Sequence, residues 1–114
     1  MKQLKHLKLN EKKALEELVK VLKEKYRDKI KEIRLFGSKV RDKVNHESDL
    51  DIFILFAEDA DWKFKDNVAR VIYDLILTYD SLFDLTIFSE NELKDKRIKS
   101  LPFYKNILKE GVLI

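Results

Sequence analysis

Asp49 and Asp51 stand two residues apart at the head of the apolar run LDIFILF, residues 50–56. In a strand, side chains two apart share a face, so both carboxylates project together. A third acid, Asp84, interrupts the apolar run FDLTIF, residues 83–88. It shares a strand face with Thr86, opposite Phe83, Leu85 and Ile87. A carboxylate inside an apolar strand is costly unless it is paired or holds a metal. If the two strands are neighbours, three carboxylates converge, and hard oxygen ligands at that density suit Mg²⁺. Each piece alone has a plainer reading: Asp-Leu-Asp as a strand entry with a turn-forming acid, Asp84 as an edge-strand residue.

The segment upstream adds a phosphate-binding half. Leu35-Phe36-Gly37-Ser38 reads as a strand ending in Gly-Ser before a helical turn. A glycine there lets a ligand approach the backbone closely. Ser38 offers a hydroxyl, and N–H groups at the start of a turn cradle phosphate oxygens. Lys39, Arg41 and Lys43 supply cations within reach of a triphosphate. A lone Gly-Ser is an ordinary turn. Gly-Ser, ten residues, Asp-x-Asp and a later strand Asp together form a specific pattern.

The elements that must hold these residues follow from periodicity. Asn10 is placed to cap a helix from Glu11, whose stripe is Ala14, Leu15, Leu18, Val19, Leu22 and Tyr26. Residues 30–36 and 50–56 read as strands, the second apolar on both faces and therefore central. Asp61 caps a helix with a main stripe of Phe64, Val68, Val71, Ile72, Leu75 and Tyr79. Trp62, Ala69, Tyr73 and Ile76 form a second stripe on the same helix, which calls for a second neighbour. Residues 82–88 form a third strand, and Ser89 with Glu92 makes a capping box for a short helix. Pro102 opens a last helix, which Gly111 ends as a left-handed cap. This order predicts an α+β fold, a small mixed sheet packed with helices.

Composition narrows the function classes. The chain has 114 residues, 45% apolar and 39% charged, and no Cys. That size suits one domain, expected to span residues 1–114. Without Cys there is no disulfide framework, no Cys zinc site and no thiol nucleophile, which suits a reducing cytoplasm. No signal peptide is visible, and no apolar run approaches a membrane span. His6 and His46 lie in different regions and make neither a zinc site nor a triad. Charge is segregated. Residues 1–43 carry 15 Lys/Arg against 7 Asp/Glu, residues 44–92 carry 3 against 12, and residues 93–114 carry 6 against 2. Basic flanks around an acidic middle suit an acidic metal site that takes an anionic ligand. The basic first helix mixes Lys with Glu and reads as solvated surface, so no direct nucleic-acid contact is expected.

The stretch LFGSKVRDKVNHESDLDIFILF resembles the signature of the minimal nucleotidyltransferases of the DNA polymerase β superfamily. Gly37, Ser38, Arg41, Ser48, Asp49 and Asp51 match that pattern residue by residue, and Asp84 matches the family's third carboxylate. Asp42 stands where the family usually has Gly. The final LPFYKNILKEGVLI is similar to the group's usual tail, so the resemblance covers nearly the whole chain.

The resemblance implies a nucleotidyltransferase fold with two Mg²⁺ ions and ATP as substrate. Asp49, Asp51 and Asp84 would be catalytic and metal-binding; Gly37, Ser38, Lys39 and Arg41 would contact the nucleotide. Small stand-alone members look like MntA-type antitoxins, which attach AMP to a tyrosine of a HEPN-type ribonuclease toxin. The expected partners are therefore such a toxin and a nucleoside triphosphate, with a homodimer as a further expectation and no membrane. Two alternatives stand beside this reading: transfer to a small molecule or RNA end, and an antitoxin that acts by binding alone.

Overall fold

The structure, a computed structural model, describes residues 7–41, 49–57 and 61–114. Helix α1 (Leu9–Tyr26) leads into strand β1 (Ile30–Phe36) and a 3₁₀ turn over Gly37–Val40. Strand β2 (Leu50–Phe56), helix α2 (Trp62–Tyr79) and strand β3 (Phe83–Ser89) follow. Helices α3 (Lys96–Lys99) and α4 (Pro102–Glu110) precede a two-residue strand β4 (Val112–Leu113). The four strands lie in the order β3-β2-β1-β4. β1 is antiparallel to β2 and to β4, while β2 and β3 are parallel. The mixed α+β expectation holds.

The two faces of β2 explain why it is apolar throughout. Leu50, Ile52, Ile54 and Phe56 turn to one side, where they join Leu15, Leu18 and Leu22 of α1 and Phe64, Val68, Ile72 and Leu75 of α2. Phe53 turns to the other side and is buried with Leu93, Tyr104 and Ile107. A parallel β2–β3 pair needs a crossover, and α2 supplies it across the first face. Phe64 links helix to sheet by stacking on Phe56 at 3.8 Å between ring centroids.

Capping follows the sequence in most places. The Asp61 carboxylate accepts the Phe64 N–H at 2.9 Å. The Ser89 hydroxyl accepts the Glu92 N–H at 3.0 Å, and the Glu92 carboxylate accepts the Ser89 N–H at 3.2 Å. This capping box opens a 3₁₀ turn that runs on to α3.

Four expectations need correction. α1 starts at Leu9 rather than Glu11, and Asn10 does not cap it. Its amide donates instead to the Tyr79 carbonyl at 2.9 Å and to Ser81 Oγ at 3.2 Å, fastening the start of α1 to the end of α2. The third strand is displaced by one residue, to 83–89. β4 was not expected, since two residues carry no period; Ile114 N–H donates to the Ile33 carbonyl at 3.0 Å just beyond it. Gly111 is extended, at φ −66° and ψ 140°, and is no left-handed cap. It is glycine because a Cβ would strike the Ile107 carbonyl and come within 3.2 Å of the Arg34 side chain.

The second stripe of α2 is only partly used. Ile76 packs against the core, but Trp62 is 73% and Tyr73 62% exposed, with Ala69 also open to solvent. Leu77 extends this exposed surface. No helix among the described residues is long and apolar enough to cross a membrane.

Candidate active site

Strand register assembles the site. Asp51 pairs with Phe36 on β1 and with Asp84 on β3, so one rung of the sheet reads Phe36–Asp51–Asp84. Paired positions share a face. Asp51, Phe53 and Leu55 therefore project toward α4, as do Asp84 and Thr86. The face that carries the acids is the one opposite α1 and α2. Asp49 lies just before β2 and is exposed. The Leu50 N–H that follows it is held by the Leu82 carbonyl at 2.9 Å.

Asp51 responds to all of its neighbours. Partial burial pushes its carboxyl above the ordinary range, the negative charges of Asp84 and Asp49 push it further, and the positive charge of Arg41 pulls it back. The charges of Asp84 and Asp49 thus both act on Asp51.

The three acids are not gathered into a ready cage. Among the described residues, no three Asp, Glu, His or Cys side chains stand close enough to hold an ion as placed. Asp49 and Asp84 are exposed. The exposure of Asp84 also removes one argument for it. Its carboxylate meets solvent at the sheet face, so the cost of a buried charge does not apply.

The Gly-Ser turn lies directly against Asp51. Gly37 has φ +76°, a left-handed conformation that side chains disfavour. A Cβ at Gly37 would run into the Asp51 carboxylate, with Asp51 Cγ at 2.9 Å and Cβ at 3.3 Å. The glycine makes room for the acid, a role different from the expected close approach of a ligand. Ser38 follows in the turn, whose end is closed by the Arg41 N–H on the Ser38 carbonyl at 3.2 Å.

The two expected cations part company. Arg41 is exposed and pairs with Glu110 at the end of α4, 3.0 Å apart, while its charge still reaches Asp51. Lys39 does not face the site. Its side chain is 0% exposed, and its ammonium lies 3.1 Å from the Glu11 carboxylate of α1. It is a buried anchor of the turn, and a phosphate could not reach it there. Lysine is usually a surface residue, so its sequence carries no sign of this. Lys43, Asp42, His46 and Ser48 lie outside the described residues, as does His6.

Aromatic residues complete the acidic face. Phe36 meets Phe103 of α4 edge to face at 5.7 Å. Phe53 packs edge-on to Phe88 at 6.0 Å and beside Tyr104 at 6.2 Å. These contacts hold α4 against this face of the sheet, where Asp84 remains exposed and Asp51 half-buried. Tyr104 was not singled out from the sequence; burial, with the Glu32 charge, raises its hydroxyl pKa.

Comparison with known proteins identifies the family and the fold. A relative from Methanocaldococcus jannaschii, named "Putative protein adenylyltransferase MJ0604", is 41% identical over 103 residues, covering 90% of this chain and 96% of the relative. Two crystal structures of variants of the toxin-antitoxin MntA-HpeT share the fold. One has a TM-score of 0.58 at 24% identity, covering 94% of this chain and 72% of that one. The other has a TM-score of 0.56 at 21% identity, covering 86% and 69%. The model of the family described as polymerase beta, nucleotidyltransferase matches residues 16–114, and the chain belongs to that family.

Proposed function

We propose that this chain transfers AMP from ATP to a tyrosine hydroxyl of a partner protein, a HEPN-type ribonuclease toxin, and thereby acts as its antitoxin. The observation that carries the reading is the rung that sets Asp51 beside Asp84, with the charge of Asp49 acting on the same carboxylate. Asp49, Asp51 and Asp84 are hard oxygen donors at one end of the sheet and would hold two Mg²⁺ ions. Those ions would supply charge neutralisation at the triphosphate and at the acceptor oxygen.

The rest of the chemistry falls to the chain. The Gly37–Val40 turn offers backbone donors next to Asp51, and Arg41 adds a positive charge on the same side. Tyrosine titrates near ~10, so its hydroxyl needs to lose a proton to become a good nucleophile. Asp84, exposed beside Asp51, is placed to receive it. The tyrosine oxygen then attacks the α-phosphorus, the bond to the β-phosphate oxygen breaks, and pyrophosphate leaves. Holding the two substrates in line contributes most of the acceleration.

The relative's name supports AMP as the transferred group, and the fold shared with the MntA-HpeT complexes supports a toxin as acceptor. The exposed Trp62, Tyr73 and Leu77 on α2 suit the attachment of such a partner. They would serve equally well for neutralisation by contact alone. Incubation with ATP labelled on the α-phosphate, Mg²⁺ and the product of the adjacent gene separates the two. Label on a partner tyrosine is expected. A stable complex that inhibits the partner without any label would establish the contact-only reading.

A further inference from the structure

The buried Lys39–Glu11 pair joins the turn beside the catalytic acids to the first turn of α1. We infer that this pair is a positioning device for the nucleotide-binding turn, which rests on the nucleotidyltransferase reading above. Glu11 is occupied at both oxygens: Oε1 accepts the Lys8 N–H at 2.9 Å and Oε2 meets Lys39 Nζ at 3.1 Å. The carboxylate is therefore fixed by its own helix, and it fixes the lysine in turn. Lys39 is the third residue of the turn, one after Ser38 and two after Gly37. Its side chain is fully buried, so the backbone of that turn has little freedom to shift.

Burying two opposite charges is an inefficient route to stability, because an apolar pair of similar volume often does as well or better. What an ion pair adds is registry, since only one placement satisfies both groups. The registry needed here is narrow. Gly37 must keep its left-handed conformation with the Asp51 carboxylate against its Cα. A tether on the opposite side of the turn holds that contact. Lys39 thus acts on nucleotide through the turn, without touching phosphate.

The test compares folding with binding in the full chain. Glu11→Leu combined with Lys39→Met removes both charges and leaves an apolar pair. Its urea unfolding midpoint is expected near that of the parent, while its Kd for ATP with Mg²⁺, by calorimetry, rises about tenfold or more. Affinity equal to the parent's in that folded double variant overturns the inference. If the double variant does not fold, Glu11→Gln decides. Its amide oxygen still accepts the Lys8 N–H, while its NH2 replaces the oxygen that meets the Lys39 ammonium, so the charge and the tether are lost together. A Kd raised about threefold or more, measured below its melting temperature, supports the tether, and an unchanged Kd overturns it. A parent chain that binds no ATP would sink the nucleotidyltransferase reading and this inference together. A parent that binds while the variants bind equally well sinks this inference alone.

Discussion

Gly37 and Asp51 occupy each other's space: the volume a side chain at position 37 would need is filled by the Asp51 carboxylate. Gly37 follows the last residue of β1 and Asp51 is the second residue of β2, on antiparallel neighbours whose last ladder pair is Phe36 with Asp51. The phosphate-side turn and the central acid are thus one packed unit. Gly37→Ala combines a left-handed strain of about 1–2 kcal/mol with that collision. It should lower stability by at least that amount in urea unfolding. It should also weaken ATP binding about tenfold or more, because Asp51 must move. Parent-like affinity in calorimetry would show that the two residues act separately.

The acids should divide their labour. Asp84→Asn is expected to reduce AMP transfer by about a hundredfold or more while keeping most ATP affinity, since it removes the proton acceptor next to the acceptor hydroxyl. Asp49→Asn with Asp51→Asn should lose both transfer and Mg²⁺-dependent ATP binding. Single-turnover assays beside calorimetry read the two quantities. Near-parent transfer by Asp84→Asn would make Asp84 a structural residue of β3.

Asp51 also makes a pH prediction, in chelator and without nucleotide. Its carboxyl is raised in the folded chain by burial and by Asp84 and Asp49, so folding favours the protonated form. The stability it permits is fully present below the unfolded carboxylate range near ~4 and is lost as pH rises through the raised folded value. Asp51→Asn should therefore melt at a higher temperature than the parent at pH 7, with the difference closing toward pH 4. A lower melting temperature for the variant at pH 7 would mean that Asp51 is held by favourable contacts.

Partner attachment should depend on the exposed side of α2. Tyr73→Asp with Leu77→Asp places charge on a solvated apolar surface, so folding should change by no more than about 1 kcal/mol. Co-purification with the adjacent gene product should be lost while ATP affinity stays at the parent value. Retained co-purification would move the interface elsewhere.

Much of this was legible in the residues. The stripes of α1 and α2 gave the faces that are buried, and β1 and β2 have the bounds expected of them, residues 30–36 and 50–56. The Asp-x-Asp spacing put both acids at the head of β2, where Asp51 lies inside the strand and Asp49 just before it. What escaped was tertiary. The meeting of Asp51 with Asp84 was expected only on the condition that their strands are neighbours; the parallel register across α2 that meets this condition is encoded by no local spacing. Lys39 reads as a surface cation because its partner Glu11 lies on another element. Asn10 has the chemistry of a cap, yet its amide is taken by the far end of α2. β4 is two residues long and exists only because the chain returns beside Arg34 and Leu35.

Trp62 has a practical consequence of another kind. It is the chain's single tryptophan, it stands at the start of α2, and it is 73% exposed, with the Lys63 ammonium 5.8 Å from its ring. Excited selectively, it is a native optical label on the surface assigned to the partner, and its emission is that of an indole in water. A partner that covers it would shift that emission to the blue and shield it from iodide quenching. Nucleotide arriving at Asp51, on the opposite face of the sheet from α2, would leave the signal unchanged. Occupancy of the two surfaces can thus be followed separately in the unmodified protein.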